Sequence, residues 1–320
     1  MKLGVFTVLF GQKSFEEALD YIQSVGLDAI EVGTGNYPGN AHCPLDELLR
    51  SESKRKAWKA AIDERGLSLE ALSCHGNPLH PNKKFAQAHH ETFRKTVRLA
   101  DMLGVRTVVA FSGCPGDSDR AKYPNWVTCS WPDDYYKILE WQWKEKVIPY
   151  WKKEAKFAKD HKVRIAFEAH PGFVVYNPET AQRLRTECGN NIGVNLDPSH
   201  FFWQGIDPNI AVRELAGMIY HVHAKDTSID PTNTAVNGVL DTKHYGGEAK
   251  RSWIFRTVGF GHDEQFWRAF ISNLRLVGYD GIISIEHEDS LMSVKEGFEK
   301  GVQFLQRIIL KEPTGKMWWA

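Results

Sequence analysis

At 320 residues the chain is longer than an average domain yet within the length of one α/β barrel, so size alone does not divide it. Its 40 basic and 40 acidic residues cancel and the pI is near 7.2, which removes any general attraction to nucleic acid or an anionic membrane. Five scattered cysteines with no C-x-x-C pair argue against a zinc ribbon or disulfide framework. No apolar run is long enough to span a bilayer, and the apolar opening lacks a small-residue cleavage site, so a soluble cytoplasmic protein is expected.

The opening LGVFTVLF is a compact apolar run that predicts a strand, followed by a helix over SFEEALDYIQSVG. Ser14 and Glu17 have the spacing of a capping box. A second strand is expected over residues 28 to 33, a helix from about Leu45 to Arg65 closed by Gly66, and a third strand over 68 to 76. The next helix shows apolar residues at helical spacing up to Gly104, and RTVVAFSG is the fourth strand. The stretch DDYYKILEWQWKEKVIPYWKKEAKFAKDH reads as a long helix interrupted at Pro149, leading into VRIAFEAH as the fifth strand.

The alternation then continues with a helix from Pro178 to about Cys188, strand NIGVNLD, a short helix after Pro208, strand GMIYHVHAK, helix DEQFWRAFISNLRLVG, strand GIISIEHE and a last helix from about Ser293 to Leu310. Eight strand-helix pairs with short returns imply parallel strands joined by right-handed crossovers. They predict a single-domain (β/α)8 TIM barrel over residues 1–310, with a tail over 311–320. A doubly wound open sheet ranks below it, because no glycine-rich phosphate turn follows the first strand. Long loops after the fourth and seventh strands, about 113 to 132 and 226 to 262, mark the expected catalytic face.

Four strands end in residues able to bind metal or move protons: Glu168 and His170 in IAFEAHPG, Asp197 and His200 in GVNLDPSH, His221, His223 and Asp226 in MIYHVHAKD, and Glu286 and Glu288 in IISIEHED. Any one of these has an ordinary reading as a turn acid, a surface acid or a hydrogen-bonded core histidine. Four at matching strand ends point instead to convergence, since buried charges need partners and a cation is one. Three carboxylates and an imidazole form an oxygen-rich set that suits Mn²⁺, placed first, or Co²⁺, Mg²⁺, Fe²⁺ or Zn²⁺. Position alone does not choose between His221 and His223. Glu31, His75 and Asn77 could also reach a ligand by position, and Lys225, Asp226, His262 and Glu288 stand close behind the main set.

The segments FEAH, NLDPSH, HVHAKD, FRTVGFGHD and SIEHED resemble the xylose-isomerase-like TIM barrels, which include sugar-phosphate isomerase/epimerase proteins, ketose 3-epimerases and inosose isomerases and dehydratases. The resemblance runs over nearly the whole chain. It implies that Glu168, Asp197, His223 and Glu286 bind one divalent metal ion, its H-x-K-D pattern selecting His223, and that Glu168 and Glu286 act as acid and base. It also implies that His200 and Arg256 contact substrate oxygens, with His170 beside them. The implied reaction is proton abstraction next to a sugar carbonyl through an enediolate.

The aromatic stretch from Tyr123 to Trp151 and the long segment from Thr227 to Phe260 exceed what a simple epimerase needs. Trp126 and Trp131 are expected as loop residues offering flat faces to a sugar ring or an aglycone. A 3-oxo-glycoside epimerase or lyase, with a partner subunit in some relatives, is therefore the alternative. The endonuclease IV type of nuclease ranks lower, because Phe111-Ser112-Gly113 stands where that class has a zinc histidine and the charge balance lacks a DNA-binding excess. A binding or scaffold protein is a further alternative, against which the paired glutamates argue. The segment after the seventh strand is expected to act as a lid that brings Arg256 toward substrate. Met317, Trp318 and Trp319 in the tail should dock in a groove or, by preference, on a neighbouring subunit of a homo-oligomer.

Overall fold

A computed structural model describes residues 1–319; the last residue of the tail lies outside the described residues. Eight parallel strands close the barrel: β1 (Lys2–Phe6), β2 (Ala29–Gly33), β3 (Ser68–Ser73), β4 (Thr107–Ala110), β5 (Arg164–Glu168), β6 (Ile192–Leu196), β7 (Ile219–Ala224) and β10 (Ile282–Ile285). They lie in the order β1-β10-β7-β6-β5-β4-β3-β2. Two further strands, β8 (Asp226–Ile229) and β9 (Trp253–Arg256), pair antiparallel as a separate ribbon. Almost every barrel position is buried because helices cover the outer face, which is why these strands read as apolar runs without alternation. No helix of the described residues is long and apolar enough to cross a membrane.

Several expected boundaries shift for local reasons. β1 stops at Phe6, and Thr7–Phe10 tightens into a 3-10 turn. The helix expected over 45 to 65 is two helices, Leu45–Arg50 and Glu52–Asp63, because Ser51 takes an extended conformation and its hydroxyl caps the second. Around Pro149 the chain stays helical: Asp133–Trp141 passes through a π-helical segment, Gln142–Val147, into Ile148–Asp160. That places the proline in a first turn, where its missing N–H costs least. The capping box at Ser14 and Glu17 forms as expected.

The β8–β9 ribbon was not legible as strands, and its base is held by one side chain. Asp226, fully buried, accepts from the backbone N–H groups of Thr227, Gly259, Gly261 and His262, from His262 Nδ1 at 2.7 Å and from the Trp267 indole at 3.2 Å. The chain passes so close that a Cβ on Gly261 would sit 2.3 Å from the Thr227 carbonyl oxygen. Between the two strands, the helix Pro231–Asn237 and the coil that follows are mostly exposed. Any closing motion therefore belongs to the distal part of the segment, while its base stays with the barrel.

In the tail, Lys311 pairs with Asp28, but Trp318 and Trp319 contact each other and remain 88% and 69% exposed. They occupy no groove of their own chain.

Two outcomes are expected. Asp226→Ala strands several buried donors and should cost about 3 kcal/mol or more in urea unfolding, with faster proteolysis between residues 230 and 250. Burial pushes the Cys43, Cys74 and Cys114 thiols up to about 12, while Cys129 is exposed. Iodoacetamide at neutral pH should thus label Cys129 in the native chain roughly tenfold faster than these three, and all of them after unfolding, as read by mass spectrometry.

Candidate metal centre

The C-terminal ends of β5, β6, β7 and β10 bring Glu168, Asp197, His223 and Glu286 together, with one ligand atom of each within 4.8 Å of the others. His223 Nδ1 lies 3.3 Å from Glu168 Oε2 and 3.2 Å from Glu286 Oε2. Two of the atoms facing this point, His223 Nδ1 and Asp197 Oδ2, are buried and make no well-aligned hydrogen bond, although Asp197 Oδ2 is ion-paired with Lys225 at 3.1 Å. Buried polar atoms are almost always paired, so an imidazole nitrogen left without a hydrogen bond among three carboxylates has the character of a cation site. These four residues could hold a divalent metal.

Positive side chains ring the cluster. Lys225, buried between β7 and β8, places Nζ 3.1 Å from Asp197, 2.7 Å from Glu286 and 3.0 Å from Glu288. Glu168 is held by His75 Nε2 at 3.0 Å, the Asn195 amide at 3.0 Å and His200 Nε2 at 3.1 Å. Burial works to raise the carboxyl of Glu168, but the charge of His75 and the hydrogen bonds of His200 and His75 keep it well below the usual carboxylate range. Glu286 is likewise brought down to about 2 against burial by the charges of Lys225 and His223. His223 goes the other way: burial would lower it, yet the carboxylates of Glu31 and Glu286 raise it well above an ordinary histidine. Both glutamates are therefore ionised near neutral pH.

The remaining expected residues fall in distinct places. His200, in the short helix Ser199–Phe202, reaches both Glu168 and Asp197, the latter at 3.3 Å. His170 lies against His200 with ring centroids 4.0 Å apart and the planes tilted by 52°, and burial pushes it down to about 3, leaving it neutral. His170 also forms part of an aromatic wall with Phe111 and Phe173. Trp126 lies one layer further out, edge-on to Tyr176, whose carbonyl accepts from Gln204 while Gln204 also bonds the His200 carbonyl. Arg256 is not joined to the cluster: its Nε donates to Asp289 at 3.0 Å and its guanidinium lies over Phe260. His221 points one layer deeper than His223, with Nε2 2.8 Å from Glu31, and it is His223 that joins Glu168, Asp197 and Glu286.

Sequence reasoning missed Asn195 and gave Glu31 and His75 no more than a position. The available signal was a lone polar residue inside an apolar strand, Glu31 in AIEVG and Asn195 in IGVNL. In a strand whose outer face is covered by helices such a residue must find partners inside the barrel.

The fold agrees with what the chain is similar to. A family model described as xylose isomerase-like TIM barrel matches residues 19–308, and the chain belongs to that family. A relative from Bacillus subtilis (strain 168), the uncharacterized protein YfiH, is 43% identical over 312 residues, covering 97% of this chain and 99% of its own length. Among solved structures, the probable 3-DHS dehydratase AsbF from Bacillus anthracis superposes with a TM-score of 0.65 at 16% identity, covering 96% of this chain and 99% of that one. The 3-keto-D-glucoside 4-epimerase YcjR from E. coli gives 0.64 at 15% identity, covering 96% and 99%. At these identities the two structures speak for the fold.

Proposed function

We propose that the protein is a divalent-metal-dependent sugar isomerase or epimerase that abstracts a proton next to a carbonyl. The observation that carries this is the meeting of Glu168, Asp197, His223 and Glu286 from four separate strand ends, with the buried Nδ1 of His223 turned to the carboxylates and free of any hydrogen bond. These four would hold the metal, which when bound supplies positive charge to oxygens that become negative during proton transfer. Glu168 and Glu286 stand on strands separated in the barrel by β6 and β7, so they approach a substrate lying over His223 and Asp197 from different sides. One, as its carboxylate, takes the proton from carbon. Delivery of a proton to the opposite face by the other glutamate, which must first take one up from water, gives an epimer, and return of the abstracted proton to the neighbouring carbon gives the aldose-ketose isomer. His200 and Lys225 supply hydrogen-bond donors at the same mouth, where they can fix sugar oxygens as well as carboxylates.

A second reading rests on the aromatic surfaces beside the cluster. Phe255 of β9 stands edge-on to His200 at 5.4 Å and under the Lys225 ammonium, and Trp253 stacks on Trp203 at 4.6 Å. Flat apolar walls of this kind suit a glycoside carrying a second ring, acted on as its 3-oxo form by epimerisation or by elimination after the same proton abstraction. YcjR, by its name a 3-keto-D-glucoside 4-epimerase, shares the fold. The two readings differ in product, since only elimination releases a free aglycone.

Metal analysis and isotope exchange test the reading. The purified protein should carry one divalent ion per chain, against three for an endonuclease IV type of site, and Asp197→Ala and His223→Ala should lose most of it. With metal present, a ketose or 3-oxo-glycoside should exchange a carbon-bound proton with deuterated water. Glu168→Gln and Glu286→Gln should each slow that exchange by roughly 10²–10⁴-fold. Full metal retention in both first variants would sink the assignment.

A further inference from the structure

Below the proposed metal ligands lies a second group of ionisable side chains, which the reaction above does not use. Glu31, fully buried at the end of β2, accepts from His221 Nε2 at 2.8 Å, from His223 Nε2 at 3.0 Å, from Ser284 Oγ at 2.7 Å and from the Ser73 hydroxyl. β2 is not a neighbour of β7, so this carboxylate reaches across the barrel interior to the two histidines. The pairing of β2 with β3 shifts register between Ile30 and Glu31, and that of β6 with β7 shifts between Val194 and Asn195. The extra residue lies on the partner strand each time, Glu70 of β3 and Tyr220 of β7, so each bulge bends the neighbouring strand beside Glu31 or Asn195.

The group could itself be a cation site, since its ligand atoms lie within reach of one another. Counting lone pairs decides against that. A carboxylate offers about four acceptor sites, and four donors from Ser73, Ser284, His221 and His223 already occupy those of Glu31. The histidine nitrogens facing it are also the ones that carry hydrogen toward a carboxylate. On the far side of the same imidazole, Nδ1 is the atom without a partner, and the Phe6 ring stacked at 5.8 Å limits rotation of the plane.

We infer that Glu31 is a positioning residue. Its carboxylate holds the proton of His223 on Nε2 and so presents the Nδ1 lone pair to the cation held with Glu168, Asp197 and Glu286. His221, Ser73 and Ser284 hold Glu31 itself in place. The inference rests on the metal-binding reading above, and it goes further by placing part of the affinity in a residue from the opposite side of the barrel.

Glu31→Gln tests it with Mn²⁺ alone, followed by electron paramagnetic resonance titration of the folded full-length chain. A glutamine has one acceptor oxygen for four donors, and its amide can offer hydrogen to Nε2, which forces the histidine proton onto the metal side. Mn²⁺ affinity should fall about 10–100-fold. Ser284→Ala removes another hydrogen bond to the same carboxylate without touching a histidine and so reports the packing cost. Affinity should fall by less in it than in Glu31→Gln, even where the two lose the same thermal stability. Glu31→Asp keeps the charge but draws the acceptor back by one methylene, and it should also weaken binding, which covers the case of a glutamine variant that does not fold. Equal affinity in wild type and Glu31→Gln, an equal fall in the serine variant, or two ions per wild-type chain with one lost in Glu31→Gln would each overturn the positioning role alone. A wild-type chain that binds no Mn²⁺ would overturn the metal reading and this inference with it.

Discussion

Three carboxylates and an imidazole gathered at one point of a barrel mouth set the terms for everything around them. Like charges this close repel strongly where water is scarce, so the arrangement persists only if positive charge and hydrogen bonds compensate it. The protein supplies these in layers. Lys225 bridges Asp197, Glu286 and Glu288, while His75, Asn195 and His200 hold Glu168. A divalent ion would complete the compensation at the point where His223 Nδ1 faces the carboxylates without a hydrogen bond of its own. The depressed carboxyls and the raised imidazole follow from the same crowding.

The barrel interior is divided to serve this mouth. Near the base, small apolar residues, Ala71, Val109 and Ala166, fill the axis. Two residues further along their strands stand Ser73 and Glu168, on the same inward face because strand side chains alternate. Polar residues thus begin one layer below the proposed metal ligands, where Glu31 accepts hydrogen bonds from Ser73, Ser284, His221 and His223. Such a layer costs desolvation that an apolar core would not, and what it supplies in return is fixed orientation of the imidazole above it.

Much of this was legible in the sequence. Strand-helix alternation gave the barrel, because apolar strand runs and capped amphipathic helices are local signals, and charged residues at strand ends stand out against apolar runs, which brought Glu168, Asp197 and Glu286 into view, while the family resemblance pointed to His223. Other features depended on contacts between distant parts of the chain. The β8–β9 ribbon was hidden because Asp226-Thr227-Ser228 and Trp253-Ile254-Phe255 are separated by a helix and a coil, and their pairing is fixed at the Asp226 anchor rather than by a tight turn. The helix through Pro149 continues because a π-helical segment precedes the proline, which no propensity predicts. The role of Glu31 depends on His221 and His223 almost two hundred residues away. The two tail tryptophans were expected to be covered by burial energetics, and on the single chain they are not.

The division between a shared centre and variable surroundings also explains where specificity has to lie. The neighbours by fold include, by their names, a dehydratase and an epimerase, so the barrel scaffold by itself does not choose between elimination and proton return. In this chain the groups free to make that choice are carried by the loops after β4, β5 and β6 and by the β8–β9 ribbon. Phe111 and Phe173 form one wall, with His170 and His200 against it, and Phe255 with Trp253 stands on the far side of His200. The ribbon's base is fixed by Asp226, so the position of Phe255 relative to His200 is a property of the barrel and not of loop closure. On the reading proposed above, a substrate ring would meet Phe255 as a fixed aromatic edge, and its seat there would decide which carbon lies under Glu168 or Glu286.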